Sequence, residues 1–148
     1  MEKGKGMREI DLPLPAELLV PHRWPMLFVD SLVRRWDDSA VAQAILPVAG
    51  ISISDNRLLP EFFVELIAQS VAMANGYDAL CQERPAKNGM LVGVDGFSFA
   101  SEAVPGRMVR IETEKTFSFG AVKIIRGGVF DADELLASGN IKVWEDPD

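Results

Sequence analysis

Pro60-Glu-Phe-Phe-Val-Glu-Leu-Ile-Ala-Gln-Ser-Val-Ala-Met-Ala-Asn-Gly-Tyr-Asp-Ala-Leu80 contains no proline after its first residue and one glycine, Gly76. Apolar residues fall on nearly every face of the helix this predicts: Phe62, Phe63, Val64, Leu66, Ile67, Val71, Met73, Tyr77 and Leu80. At 1.5 Å per residue such a helix spans about 30 Å, the width of a small domain. Glu61, Glu65, Gln69 and Asn75 lie within it at depths that would be costly in lipid, so it reads as a helix enclosed by protein rather than a membrane span.

Beyond the helix, Glu83 to Gly89 breaks the pattern with Pro85 and Gly89. Four strand-like segments follow: Met90 to Phe99, Met108 to Phe119, Ala121 to Phe130 and Leu135 to Trp144. Alternation is clearest in Val109-Arg110-Ile111-Glu112-Thr113-Glu114, which reads as an antiparallel strand with one wet face. Before the helix, Pro13 to Pro21 predicts a short helix that starts after Pro15 and stops before Pro21. Met26 to Trp36 and Val41 to Leu46 read as a hairpin, with Asp37-Asp38-Ser39 as the polar turn. A lone helix that is apolar all round is buried when a sheet curls about it and a second subunit covers what stays open. The expected class is therefore α+β, a hot-dog fold with a long central helix wrapped by a curved antiparallel sheet of roughly five or six strands. The whole chain, 1–148, reads as one domain, with residues 1–12 as a loosely ordered terminus. Trp24, Trp36, Trp144, Phe97, Phe99, Phe117, Phe119 and Phe130 are expected in the core.

Composition narrows the function. A chain of 148 residues buries about two-thirds of its unfolded surface, enough for a core without staples. A net charge of −7 argues against a nucleic-acid partner, because binding a phosphate backbone relies on basic surface that releases counterions. The single cysteine, Cys81, cannot close an internal disulfide, and the opening Met-Glu-Lys-Gly-Lys-Gly is not the apolar run of a secretory signal; both favour the cytoplasm. Phosphate-loop, dinucleotide-binding, zinc-protease and serine-elbow motifs are all missing, and one histidine cannot make a polyhistidine metal centre. Neither a metal nor an organic cofactor is expected.

Two residues stand out chemically. His22 lies in Pro21-His22-Arg23-Trp24-Pro25, where flanking prolines restrict how the imidazole is presented. Glu65 sits in sequence among Phe63, Val64, Leu66 and Ile67, and burial there would push its pKa upward and make it a proton donor near neutrality. Gln69, one helical turn on, shares its face and is placed to orient the carboxyl group, while Ala72 and Gly76 leave room along that face for a substrate. The residues alone leave two alternatives open: His22 as an ordinary loop histidine, and Glu65 as an edge carboxylate beside small residues that only let the helix approach the sheet. Glu61, in the first helical turn, complements the helix dipole.

The stretch Leu19-Val20-Pro21-His22-Arg23-Trp24-Pro25-Met26-Leu27-Phe28-Val29-Asp30 resembles the Leu-Pro-His-Arg-Tyr-Pro motif region of 3-hydroxyacyl-(acyl carrier protein) dehydratases. Val64-Glu65-Leu66-Ile67-Ala68-Gln69 is similar to that family's central-helix motif, and Gly93-Val94-Asp95-Gly96-Phe97 with Val104-Pro105-Gly106 to its third-strand signature. Within the family the chain looks most like the divergent branch associated with aryl-polyene assembly. The resemblance implies dehydration of 3-hydroxyacyl thioesters on acyl carrier protein to trans-2-enoyl thioesters. It also implies a dimer whose two active sites lie at the subunit interface, with His22 of one chain facing Glu65 of the other as the catalytic pair; the expected assembly is a homodimer or higher homo-oligomer, with a heterodimer with a related dehydratase as the alternative.

The family's Gly-His-Phe-Pro segment before the helix is replaced by Ala49-Gly50-Ile51-Ser52-Ile53-Ser54-Asp55-Asn56, and Pro60 stands where a glycine is expected. Proline lacks the backbone N–H that would polarise a thioester carbonyl, so the amides of Glu61, Phe62 or Phe63 are the candidate substitutes. Two rival functions follow: a hot-dog acyl thioesterase with Glu65 activating water, or a non-catalytic subunit of a heteromeric dehydratase. An acidic carrier protein would need a basic patch, for which Arg34, Arg35, Arg107, Lys123 and Arg126 are candidates.

Overall fold

The computed structural model describes residues 8–146. Along the chain come β1 (Leu14–Pro15), a 3-10 turn (Ala16–Leu18), β2 (Ser31–Trp36), β3 (Ser39–Ile45), β4 (Ile53–Ser54), β5 (Arg57–Leu58) and α1 (Pro60–Cys81). The remaining strands are β6 (Gly89–Phe99), β7 (Met108–Phe119), β8 (Val122–Asp131) and β9 (Glu134–Glu145). Seven strands form one antiparallel sheet in the order β1-β2-β3-β7-β8-β9-β6, while β4 and β5 pair as a separate small hairpin. The sheet is larger than expected because the chain at Leu14–Pro15, read as a lead-in to a helix, first pairs with Leu32 and Ser31. The single long helix against this sheet is the hot-dog arrangement.

The helix begins at Pro60, whose missing N–H costs nothing at a first helical position. It buries Phe62, Leu66, Ile67 and Met73 against Ala42, Ile111, Val129 and Ile141 of the sheet. Gly127 makes the close approach possible: a β-carbon there would lie 2.6 Å from the Ile67 side chain. At its far end α1 receives the N-terminal strand of chain. Arg8 donates its N–H to the Cys81 carbonyl at 2.8 Å, and the Tyr77 hydroxyl donates to the Ile10 carbonyl at 2.7 Å. Of the terminus expected to be loose, residues 1–7 lie outside the described residues, while residues 8–10 are tied down because carbonyls of a last helical turn need donors.

The aromatic core is a correction. Phe62 and Phe63 of the helix are the buried aromatics of an otherwise mostly aliphatic core, and none of the eight strand and loop aromatics is fully buried. Phe97 and Phe130 are half-buried, whereas Trp24 is 88% and Phe119 77% exposed, and Trp36, Phe99, Phe117 and Trp144 are also exposed. A strand's alternation reports two faces without saying which one the helix covers. The exposure concentrates along β6, which lies at the sheet edge and turns Met90, Leu91, Val92, Val94 and Phe99 to solvent. No helix among the described residues is long and apolar enough to cross a membrane.

Candidate active site

The chain from Leu19 to His22 lies across α1 and, with the start of β6 and the end of β9, walls a cleft of about 270 Å³. His22, Glu65 and Gln69 all border it, so three of the residues singled out from the sequence line one cleft of a single chain, whereas the resemblance implies a pair formed between two chains.

Close approach of the strap to the helix depends on Gly76. A β-carbon at this position would overlap the carbonyl oxygen of Leu19, so the space left by the glycine is filled by backbone rather than kept for a substrate. This corrects the expectation for Gly76, although the residue still borders the cleft. Arg23 then fixes the strap from outside. Its guanidinium donates to the carbonyls of Val20 at 2.9 Å, His22 at 2.7 Å and Glu17 at 3.2 Å, gathering three carbonyls that would otherwise point to solvent.

Gln69 is the internal fastener, only 1% exposed. Its Oε1 accepts the Phe28 N–H at 2.8 Å; its Nε2 donates to the Met26 carbonyl at 2.7 Å and to Glu65 Oε1 at 3.1 Å. One amide thus joins the 26–28 segment to the helix and restrains the Glu65 carboxyl group. Glu65 itself is half-buried, not enclosed. Its apolar sequence neighbours point elsewhere, because successive helical residues are turned by about 100° and only those three or four apart share a face. His22 is also half-buried, yet its Nδ1 is shut off from solvent and has no hydrogen-bond partner among the described residues.

The helix start does not converge on this cleft. Glu61 is exposed in the first turn, while Phe62 and Phe63 bury their rings in an aromatic run with Phe28 and Phe99, centroids 5.1 to 5.9 Å apart. Phe62 and Phe63 border two other clefts, and the Phe62 N–H is taken by the Leu59 carbonyl at 3.0 Å. Sequence reasoning therefore overestimated their access to a substrate beside Glu65, because helix position alone does not tell which side of the domain a first turn faces.

Most of the candidate basic patch is engaged internally. Arg35 forms a two-pronged ion pair with Asp78 at 2.7 and 3.1 Å, Arg107 pairs with Asp131 at 2.8 Å, and Lys123 donates to Ser118 Oγ and the Gly120 carbonyl. Arg34 lies 4.5 Å over the Trp36 ring, and Arg126 is exposed. Among the described residues no group of three histidine, cysteine or acidic side chains is arranged to hold a metal ion.

Two further cleft residues carried no chemical signal in the sequence reading. Asn75 Nδ2 donates to Glu145 Oε1 at 2.9 Å, and Glu145 is 7% exposed. The two lie 70 positions apart, and nothing in either local segment announces the contact.

The chain as a whole is similar to known proteins. Residues 14–148 match the family model described as ApeP dehydratase, ApeP-like. The chain is 32% identical over 117 residues to the 3-hydroxyacyl-[acyl-carrier-protein] dehydratase FabZ of Listeria monocytogenes serotype 4b (strain CLIP80459), covering 76% of this chain and 80% of that one. It is 29% identical over 130 residues to FabZ of Natranaerobius thermophilus, covering 83% and 89%. In fold it is similar to a chain of the dehydratase heterocomplex ApeI:P from Xenorhabdus doucetiae, with a TM-score of 0.80 at 19% identity over 90% of this chain and 91% of that one. A hypothetical thioesterase from Streptococcus pneumoniae TIGR4, with coenzyme A, has a TM-score of 0.61 at 7% identity, covering 78% and 84%. The extent of the family match and the identity to the Listeria enzyme leave one conclusion: this chain belongs to the ApeP-like dehydratase family.

Proposed function

We propose that the protein dehydrates 3-hydroxyacyl groups carried as thioesters on acyl carrier protein, in fatty-acid or aryl-polyene-like biosynthesis, with His22 and Glu65 as the reacting pair. The observation that carries this reading is that both side chains border one cleft, with the Glu65 carboxyl group restrained by Gln69. Dehydration needs a base at the carbon beside the carbonyl and an acid at the departing hydroxyl. His22 takes the C2 proton, the C2–C3 double bond forms as the C3–O bond breaks, and Glu65 delivers the proton with which the hydroxyl leaves as water. Proton return from the imidazolium to the Glu65 carboxylate then resets the site. Restraint of Glu65 by a buried amide limits the rearrangement needed during the proton transfer.

Partnership follows from β6. It is an edge strand, and Met90, Leu91, Val92 and Val94 make an apolar edge that a monomer would leave wet, Met90 being 61% exposed. Pairing of β6 with β6 of a second copy, or of a related dehydratase chain, covers that edge. A second reading, a subunit that is inactive without a related catalytic chain, is favoured by Pro60 at the first helical position and by the engaged Phe62 N–H, which leave fewer amides for a developing oxyanion.

The test is to incubate purified protein with 3-hydroxyacyl carrier protein and follow enoyl formation and free thiol together. Enoyl product without thiol, lost in His22→Ala and in Glu65→Ala, is the expected result. Thiol release would instead make it a thioesterase, and activity only on adding a related subunit would favour the second reading. Full turnover in either variant would remove that residue's role.

A further inference from the structure

His22 lacks what ordinarily orients an imidazole for proton transfer. One ring nitrogen is usually held by a hydrogen bond, which fixes the ring direction and the tautomer for the nitrogen that meets the substrate. Here Nδ1 is shut off from solvent and has no hydrogen-bond partner among the described residues. The placement of the ring therefore falls to its packing and to the main chain that carries it.

That main chain is held by Arg23. Its Nη1 donates to the carbonyls of His22 at 2.7 Å and Val20 at 2.9 Å, and its Nη2 to the carbonyl of Glu17 at 3.2 Å. A planar guanidinium fork fixes its acceptors in direction as well as distance. The bond to the His22 carbonyl sets the peptide plane that follows the histidine, while the Pro21 ring fixes φ one residue earlier. Between them the Cα–Cβ bond of His22 has little angular freedom. Arg23 is also tied to the other half of the site. Its own carbonyl accepts the Met26 N–H at 2.9 Å, the Met26 carbonyl accepts Gln69 Nε2 at 2.7 Å, and the same nitrogen donates to Glu65 Oε1 at 3.1 Å. Hydrogen bonds thus lead from the Glu65 carboxyl group to Arg23 and, through its side chain, to the main chain of His22.

We propose that Arg23 is the positioning residue of His22: by gripping the His22 carbonyl it aims the imidazole at the cleft and sets its place relative to Glu65. The fork geometry of the side chain does this, not its charge. The effect on rate rests on the reading of His22 and Glu65 as the reacting pair, whereas the orientation of the ring is measured without turnover.

The experiment uses the full chain with its single histidine isotopically labelled, so that every imidazole signal in the NMR spectrum belongs to His22. The native chain is expected to give one narrow set of ring signals. In Arg23→Ala these should broaden or split while the amide signals of α1 stay in place, and Arg23→Lys, which keeps the charge without the fork, should behave like Arg23→Ala. Guanidinium chloride at tens of millimolar, compared with equal sodium chloride, should narrow the ring signals of Arg23→Ala again. In kinetics with 3-hydroxyacyl carrier protein, kcat should fall at least about tenfold in both variants with KM within about twofold, the pattern of a misplaced reacting group. Ring signals in Arg23→Ala that match the native ones overturn the proposal. So does full recovery in Arg23→Lys, which would make charge the agent, and so does a loss of ring order that spreads through α1, which would make Arg23 a general clamp. If the native chain dehydrates nothing while ring order still follows Arg23, the catalytic reading fails and the positioning stands.

Discussion

Gln69 Nε2 lies 3.1 Å from Glu65 Oε1 across one helical turn, and the same nitrogen donates to the Met26 carbonyl at 2.7 Å. The side chain that restrains the carboxyl group therefore also restrains the segment following His22, and the two halves of the site share one buried amide. Chemistry and fold are coupled at Gln69.

Gln69→Leu tests that coupling. It preserves approximate size while leaving the Phe28 N–H and the Met26 carbonyl without partners, each such loss costing about 1–3 kcal/mol. A destabilisation of about 2–4 kcal/mol in urea unfolding is expected, with the slope unchanged. Stability within about 0.5 kcal/mol of the native chain would show that the segment is held by other contacts.

Gly76→Ala separates helix propensity from packing. In an exposed helix the change stabilises by about 1 kcal/mol, but here the new β-carbon meets the Leu19 carbonyl, and a backbone oxygen has nowhere to rotate. Overpacking of this kind costs about 1–3 kcal/mol, so the net sign should be destabilising or near zero and never the usual gain. Because displacement of Leu19 moves the chain leading to His22, activity should fall further than stability. A melting temperature above that of the native chain contradicts the close approach.

Mixing His22→Ala with Glu65→Ala subunits asks whether the reacting pair lies within one chain. The two residues border the same cleft of a single chain, so every mixed dimer should lack one or the other in each site and remain inactive. If the pair instead formed across the interface, random pairing would rebuild one intact site per mixed dimer and restore about one quarter of native activity. Rates measured after co-refolding distinguish the two.

Tyr77 provides a pH prediction with a direct optical signal, because it is the only tyrosine. Burial, followed by its contact with Cys81, pushes its pKa up to about 12 from an ordinary 10.0. The folded state thus holds the phenol proton over a range in which the unfolded chain has lost it. Its contribution to stability is complete below pH 10 and declines as pH rises from 10 toward 12. Phenolate absorbance should appear near pH 12 in the folded protein and near pH 10 in urea, and Tyr77→Phe should flatten the alkaline loss of stability. A folded midpoint near 10 would mean that burial and the Cys81 contact do not hold the phenol in its protonated form.

Legibility differed by level. The enclosed helix was readable from Phe62, Leu66, Ile67 and Met73, whose apolar character continues around the axis, and the hairpin turn at Asp37 and Asp38 from its polarity. The partnership of Glu65 with Gln69 was readable because i and i+4 meet on any helix. Trp24 and Phe119 were misplaced because size and hydrophobicity say that a side chain would gain from burial, not that this chain alone supplies the cover. The apolar neighbours of Glu65 in sequence overstate its enclosure for a related reason: neighbours in sequence are not neighbours around a helix.

The long helix, the four strands that follow it and the family are legible in the residues alone, since periodicity and motif are properties of residues close along the chain. Folding in three dimensions is what sets Leu19 into the notch at Gly76, brings Gln69 back to Met26 and Phe28, and joins Glu145 to Asn75 at the end of the cleft. Those contacts link segments 41 to 70 residues apart, and a local pattern fixes the direction of a side chain on its own element but not the distant segment that comes to lie opposite it.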